Sequence, residues 1–315
     1  MKPNIQLIYN RSELGAGTRG ASIGVDALLF AAINKGNTFF RKTPSVTIND
    51  QNHILTEPIG HKWAKHIDGL IKIYTEVCDT VFAVLKQKNF PLIISGDHAS
   101  AGGTVAGIKK AYPTKRIGVI WIDAHADLHS PYTSPSGNIH GMPIATMLAE
   151  DNLKFELDDV PLATQKLWNR LKKVGGIQPK ITPKDLVFIG VRDTEKEEDY
   201  LIKKHQIVNY PPLQLRKKTI EKVIYEIQNK ALKDCDLVYV SFDVDSLDSD
   251  LVSNGTGTPV SNGLMVNEVK TLLKSFMQWD KVACLEITEI NPLLDNQGNK
   301  MAQTALEIIE HALED

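Results

Sequence analysis

The sequence predicts an α/β protein: three layers, with a mainly parallel, doubly wound sheet between helices. Three observations predict it. Short apolar runs alternate with segments of helical period, several of the runs are apolar on both faces, and no linker or compositional break divides the chain. The runs, in order, are Ile5–Tyr9, Leu92–Ser95, Ile117–Ile122, Leu186–Val191, Leu237–Phe242 and Ala283–Ile287. A strand that is apolar on both faces belongs in a sheet covered on both sides, which is where parallel strands occur. A long helical stretch is expected over Ala64–Gln87. Ile220, Val223, Ile224 and Ile227 follow the i, i+3, i+4, i+7 spacing of one helix face, as do Val269, Leu272, Leu273 and Phe276. Alternation of this kind implies βαβ units. The Gly/Ser/Asn/Pro-rich stretches Gly15–Gly24, Leu128–Gly137 and Leu247–Gly263 fall between elements. One domain over residues 1–315 is therefore expected.

Composition removes whole classes of function. In 315 residues, 36 Lys and Arg against 38 Asp and Glu leave a net charge of −2, without a block of one sign. Nucleic-acid and membrane-surface partners call for concentrated positive charge. The longest apolar run, Ala27–Ile33, falls far short of the roughly twenty residues that span a bilayer. The start, Met1-Lys2-Pro3-Asn4-Ile5-Gln6, lacks the apolar centre of a signal peptide. Cys78, Cys235 and Cys284 are odd in number, widely spaced and free of CxxC spacing, so they read as reduced, buried thiols in a cytoplasmic protein.

Histidine placement points to the chemistry. His98, His125, His129 and His140, four of the nine, crowd into one stretch. Three acidic and histidine clusters each follow an expected strand: Gly96-Asp97-His98, Asp123-Ala124-His125-Ala126-Asp127 and Asp243-Val244-Asp245. In extended chain, residues i, i+2 and i+4 share a side. Asp123, His125 and Asp127 should then converge, and so should Asp243 and Asp245. Carboxyl ends of parallel strands are also where open α/β sheets hold ligands. Taken singly, each cluster reads as a solvated loop or a cap. Asp97-His98, for one, would cap a helix following Gly103, and Asp243–Asp250 resembles a calcium loop but lacks its central glycine and follows a strand. Together they supply six ligands: His98, Asp123, His125, Asp127, Asp243 and Asp245. Four carboxylates and two imidazoles without a thiolate suit a pair of hard-to-borderline divalent ions, with Mn²⁺ the natural choice and Co, Ni, Fe or Zn as substitutes. Two such ions roughly 3.5–4 Å apart lower the pKa of a bridging water.

On these residues the chain resembles the arginase/agmatinase (ureohydrolase) family, and the arginases most closely. Beyond the three ligand motifs, with Ser241-Phe242 leading the last, it carries Ser136-Gly137-Asn138-Ile139-His140-Gly141, Thr256-Gly257-Thr258-Pro259-Val260 and Glu289-Ile290-Asn291-Pro292 in family order. Gly15–Gly24 is similar to the family's glycine-rich N-terminal loop. The resemblance implies an arginase-like fold and hydrolysis of a guanidino group to urea by a metal-bridging hydroxide. L-arginine would give L-ornithine; agmatine or another guanidino acid is the alternative substrate. It assigns His98, Asp123, Asp127 and Asp243 to one Mn²⁺ and Asp123, His125, Asp243 and Asp245 to the other, with Asp123 and Asp243 bridging. Glu289 would hold the guanidinium, His140 would move protons to and from solvent, and Asp127 would pass a proton to the leaving amine. His129 and Ser136 align with groups that bind the substrate carboxylate, Glu195 and Glu198 with groups near its amino end, and Thr258 joins the substrate-binding set. A homo-oligomer, trimer or hexamer, is implied as well.

Two positions depart from the arginase pattern: His129 stands where Asn is usual and Glu195 where Asp is usual, and the loop from Asp245 to Thr258 is one residue longer. An imidazole donates from either ring nitrogen. His129→Ala is thus expected to raise KM for arginine and to spare agmatine, which has no carboxylate. His129 also continues the alternation of Asp123, His125 and Asp127, though Ser130-Pro131 signals a broken strand before a third metal-side imidazole is reached. Gly15-Ala16-Gly17-Thr18-Arg19-Gly20 fits the dinucleotide fingerprint GxGxxG. However, it lies six residues beyond Tyr9, with no acid closing a second strand about twenty residues later. A non-catalytic assembly protein would leave His140, Glu289 and the ligand set without a purpose.

Overall fold

Eight strands form one all-parallel sheet in the order β2-β1-β3-β8-β7-β4-β5-β6 in the computed structural model, which describes residues 4–157 and 159–314. Residues 1–3, part of the start read for a signal peptide, lie outside the described residues. The strands are β1 (Ile5–Asn10), β2 (Ser45–Ile48), β3 (Phe90–Ser95), β4 (Ile117–Ile122), β5 (Leu186–Ile189), β6 (Val208–Tyr210), β7 (Leu237–Asp243) and β8 (Val282–Thr288).

Strand alternation divides the core between the two faces. Leu92 and Ile94 of β3, with Ile120 and Ile122 of β4, pack toward the helices Gly24–Asn34, Ile220–Glu226, Val266–Met277 and Lys300–Leu313. Ile93, Val119 and Trp121 pack toward Ile67–Lys86, Ala101–Ala111 and Leu162–Lys172. The strands are apolar on both faces because both are covered.

The six expected strands are all present. β2 and β6 are new, and both lie at the edges of the sheet. The first is largely exposed and the second only three residues long, so neither carries a buried period-two signal. The expected helix over Ala64–Gln87 runs Ile67–Lys86, entered through His66 at φ 55°. The Ile220 helix ends at Glu226 and continues as a π-type turn over Ile227–Ala231. The expected run Leu186–Val191 stops as a strand at Ile189. Gly190 has φ +93°, and a Cβ there would stand 2.9 Å from the carbonyl oxygen of Asp123.

Register decides where the chemistry lands. Ile94 is level with Ile287, Ile287 with Phe242, and Phe242 with Ile122. The carboxyl ends of β3, β8, β7 and β4 therefore stand side by side, and the segments that leave them begin at Gly96, Glu289, Val244 and Asp123. Among the described residues no helix is long and apolar enough to cross a membrane.

Candidate metal centre and substrate pocket

One pocket opens over this row of strand ends, lined by all six expected ligands and by His129, Ser136, His140, Glu195, Glu198, Thr258 and Glu289. The expected convergence is present, but its means differ from alternation along an extended chain. β4 ends at Ile122, and the next residues turn. The Asp123 Oδ1 accepts the His125 amide at 2.6 Å, and Asp127 adopts φ 50°. Likewise Val244–Ser246 is a tight turn, in which Asp243 Oδ1 accepts the Asp245 amide at 2.8 Å. Carboxylates that accept local amides close the turns that aim them. Asp97 serves as a cap, though for the turn His98–Ser100: its Oδ1 takes the Ala99 amide at 2.9 Å. The helix that follows begins at Ala101 and already contains Gly103.

At the floor, His98 Nδ1 lies 2.9 Å from Asp123, 3.1 Å from Asp243 and 3.3 Å from Asp127, measured to their Oδ2 atoms. Its Nε2 lies 2.7 Å from Ser241 Oγ, and its ring stacks on Trp121 at 3.9 Å. His125 Nδ1 lies 3.0 Å from Asp245 Oδ2. Two sets of atoms are close enough to share a cation: His98, Asp123 and Asp243, and Asp123, His125 and Asp245, with Asp123 common to both.

The donor chemistry fits divalent ions. Buried His98 Nδ1 and Asp123 Oδ2 face each other without a hydrogen-bond partner. With the ring proton on Nε2 toward Ser241, Nδ1 turns a lone pair toward three carboxylate oxygens, and a cation resolves that clash. Burial, and then Asp245 and Asp123, push the Asp243 carboxyl well above its usual range. Burial and Asp123 raise Asp127 to about 6. Asp123 is instead held well below the carboxylate range, against burial, by His125 and His98, so the strain of ionising falls on Asp243 and Asp127, and bound positive charge would relieve it.

Beside the floor, Glu289 follows β8 with φ 65°, a conformation rare outside glycine. Its Oε1 accepts the His98 amide at 3.0 Å and lies 3.1 Å from His140 Nδ1, while its Oε2 is buried without a partner. Burial opposes charge on His140, yet the hydrogen bond to Glu289 and the negative charges of Glu289, Asp127 and Asp97 together outweigh it and lift the imidazole to about 9. The Gly15–Gly20 loop holds this corner: the Gly15 amide donates to Asp97 Oδ2 at 2.7 Å, and its carbonyl accepts the His140 amide at 3.1 Å. The first glycine of the fingerprint thus braces the site.

At the mouth, His129 and Thr258 both bond within the protein. His129 Nδ1 lies 3.1 Å from Thr133 Oγ1 and Nε2 lies 3.0 Å from Glu195 Oε2. Both ring nitrogens are spent, so His129 holds no spare donor for a substrate carboxylate, and it stands with Glu195 and Glu198 as a separate group. The Thr258 hydroxyl donates to Asp245 Oδ2 at 3.1 Å, which places it beside a floor carboxylate. Ser136 lies at the rim, its Oγ accepting the Asn138 amide at 3.2 Å. The bond to His129 holds Glu195 below the usual carboxylate range, whereas burial raises Glu198 to about 8.

Three residues had no assigned role in the sequence reading. Glu286 lies beneath the floor and accepts from Ser95 at 2.6 Å and from Thr104 and Tyr239 at 2.7 Å. A glutamate inside the otherwise apolar run Ala283–Ile287 was the available signal. Ser241 was visible only as part of a motif. Arg192 donates to the carbonyls of Val260 at 2.7 Å and Ser261 at 3.0 Å, tying down the loop that carries Thr258, and nothing in its sequence surroundings points to that.

Fold and site together define a class: a parallel α/β protein whose sheet edge carries a carboxylate and imidazole centre able to hold divalent cations. Comparison narrows it. Residues 9–314 match the model of the arginase family. An arginase from Brevibacillus brevis is 31% identical over 100% of this chain and 99% of its own length. The native arginase structure from Bacillus caldovelox superposes with a TM-score of 0.84 at 31% identity, covering 100% of this chain and 99% of the other. Entamoeba histolytica arginase in complex with L-ornithine gives 0.85 at 26% identity, with both chains covered in full. The chain belongs to the arginase family and is an arginase-type ureohydrolase. That overturns the dinucleotide-binding and non-catalytic alternatives as accounts of its activity.

Proposed function

We propose that this enzyme hydrolyses L-arginine to L-ornithine and urea at a centre holding two Mn²⁺ ions. The observation that carries the reading is the convergence, in one pocket, of the six-ligand cluster with Glu289 and His140. His98, Asp123, Asp127 and Asp243 would hold one ion and Asp123, His125, Asp243 and Asp245 the other, with Asp123 and Asp243 shared. Ions bound there supply an activated water and stabilise charge developing on oxygen.

The remaining steps belong to side chains. A guanidinium is cationic at any working pH. The buried, unpartnered Oε2 of Glu289 meets that cation beside the floor. Strain at Glu289 is a cost that a functional site tolerates when its surroundings impose the geometry. Asp127, lifted toward neutrality by burial and Asp123, is suited to take the proton of the attacking water and give it to the departing amine. His140, partly open to the pocket and bonded to Glu289, exchanges protons with solvent.

The whole chain, residues 1–315, acts in this proposal as one domain. Its free, buried cysteines agree with a cytoplasmic setting, and a trimer or hexamer is the assembly implied by the family. Agmatine is the second reading, because the mouth presents Glu195 and Glu198 while His129 is bound up within the protein. The deciding assay loads the enzyme with Mn²⁺ and measures urea from arginine, agmatine, guanidinobutyrate and formiminoglutamate. Arginine is expected to give the highest kcat/KM; a preference for agmatine would reassign the substrate and leave the chemistry standing.

A further inference from the structure

The two positions at which the chain departs from the arginase pattern touch each other, and we propose that His129 is a positioning residue that aims Glu195 at the ammonium group of the substrate. The inference rests on the ureohydrolase reading above and replaces the expectation that His129 meets the substrate carboxylate.

The hydrogen bonds run in one direction. The Ser130 amide donates to Thr133 Oγ1 at 3.1 Å, so the Thr133 hydroxyl is free to donate to His129 Nδ1 at 3.1 Å. That leaves the ring proton on Nε2, 3.0 Å from Glu195 Oε2. A doubly protonated ring donates at both ends to the same two partners. Neither protonation state leaves an N–H for a ligand. Thr133 is fully buried and His129 nearly so, hence the relay is fixed in place.

Glu195 is tethered from a second side. It precedes the helix Lys196–His205, where its main-chain carbonyl accepts the amide of Glu198 at 3.0 Å and its own amide donates to Glu198 Oε2 at 3.2 Å. Glu198 in turn accepts the Leu128 amide at 3.0 Å, locking the start of that helix to the segment that bears His129. Despite these tethers the Glu195 side chain remains 54% exposed and lines the pocket. A carboxylate held by His129 on a backbone fixed at the helix start, with open lone pairs at a pocket mouth, is an acceptor built for an ammonium group. The longer side chain of Glu is what reaches back to His129, so each departure requires the other.

Three substrates separate the ends of the molecule. Arginine carries both ammonium and carboxylate, agmatine the ammonium alone, and 5-guanidinopentanoate the carboxylate alone. In the Mn²⁺-loaded enzyme, His129→Ala is expected to raise KM for arginine and agmatine about tenfold more than for 5-guanidinopentanoate, the loss of one hydrogen bond to a charged group. His129→Gln, which keeps a donor toward Glu195, should recover much of the loss. Thr133→Val should act in the same direction more weakly. In a Glu195→Gln background, His129→Ala should add little. Calorimetry with ornithine, 1,4-diaminobutane and 5-aminopentanoate repeats the comparison without turnover. It decides the matter even if no substrate yields urea, a result that would sink the ureohydrolase proposal separately. A penalty confined to carboxylate-bearing ligands overturns the inference. So does a third divalent ion in the wild type that His129→Ala removes.

Discussion

The floor and the mouth of the pocket are made from the same residue types, yet they are balanced in opposite ways. At the floor, as at the mouth, carboxylates outnumber imidazoles two to one, but buried His98 Nδ1 and Asp123 Oδ2 have no hydrogen-bond partner. At the mouth, His129 answers Glu195 directly, and each of its ring nitrogens has a partner. The difference shows that a histidine and carboxylate cluster is not read from composition alone. Where buried lone pairs are left unanswered, a bound cation would complete the cluster. Where it is closed internally, the cluster shapes and aims. Changes at the floor should therefore cost metal and turnover, and changes at the mouth should cost affinity.

The largest effect is expected from Asp243→Ala, which removes a carboxylate proposed to serve both ions. Activity should vanish with most of the bound metal, and full metal occupancy in the variant would show that the floor does not need it. His140→Asn should instead retain both ions and lose roughly 10²–10⁴-fold in kcat, the usual worth of general acid–base work; metal loss there would move His140 into the floor. Ser241→Ala strips His98 Nε2 of its neighbour, and an outer partner of a metal ligand is typically worth about 10–100-fold in affinity. A chelator competition assay measures this, and an unchanged constant would show that Trp121 stacking alone orients the ring. The smallest effect is expected at the mouth. Ser136→Ala should raise KM for arginine about fivefold, the scale of one hydrogen bond, with metal content unchanged. A larger fall in kcat than rise in KM would erase the distinction between the two regions.

Much of this was legible in the chain. The six buried strands announced themselves because both sheet faces are covered, so the apolar signal runs unbroken. β2 and β6 escaped notice as short edges with little to bury. The floor was legible too, since its ligands come in three local clusters at strand ends. The reason offered for their convergence was wrong. Alternation ends at Ile122, and turns closed by Asp123 and Asp243 do the aiming. The bonds of His129 were hidden for a related cause: its partners Thr133 and Glu195 lie four and sixty-six residues away, and only one of them is within reach of a local pattern.

By itself, the sequence determined the parallel α/β class, the carboxylate and imidazole clusters at three strand ends and the family. Each of these depends on residue types at short spacing, which local geometry converts into a face or a turn. Tertiary structure alone decided that β8 lies between β3 and β7. That order sets Glu289 against His98 and His140, across 191 and 149 residues of chain, and places Glu286 beneath the floor. It also decided that His129 would spend its donors on the protein. Strand order and the pairing of distant polar groups follow from how layers pack, and packing joins residues without regard to their separation in the chain.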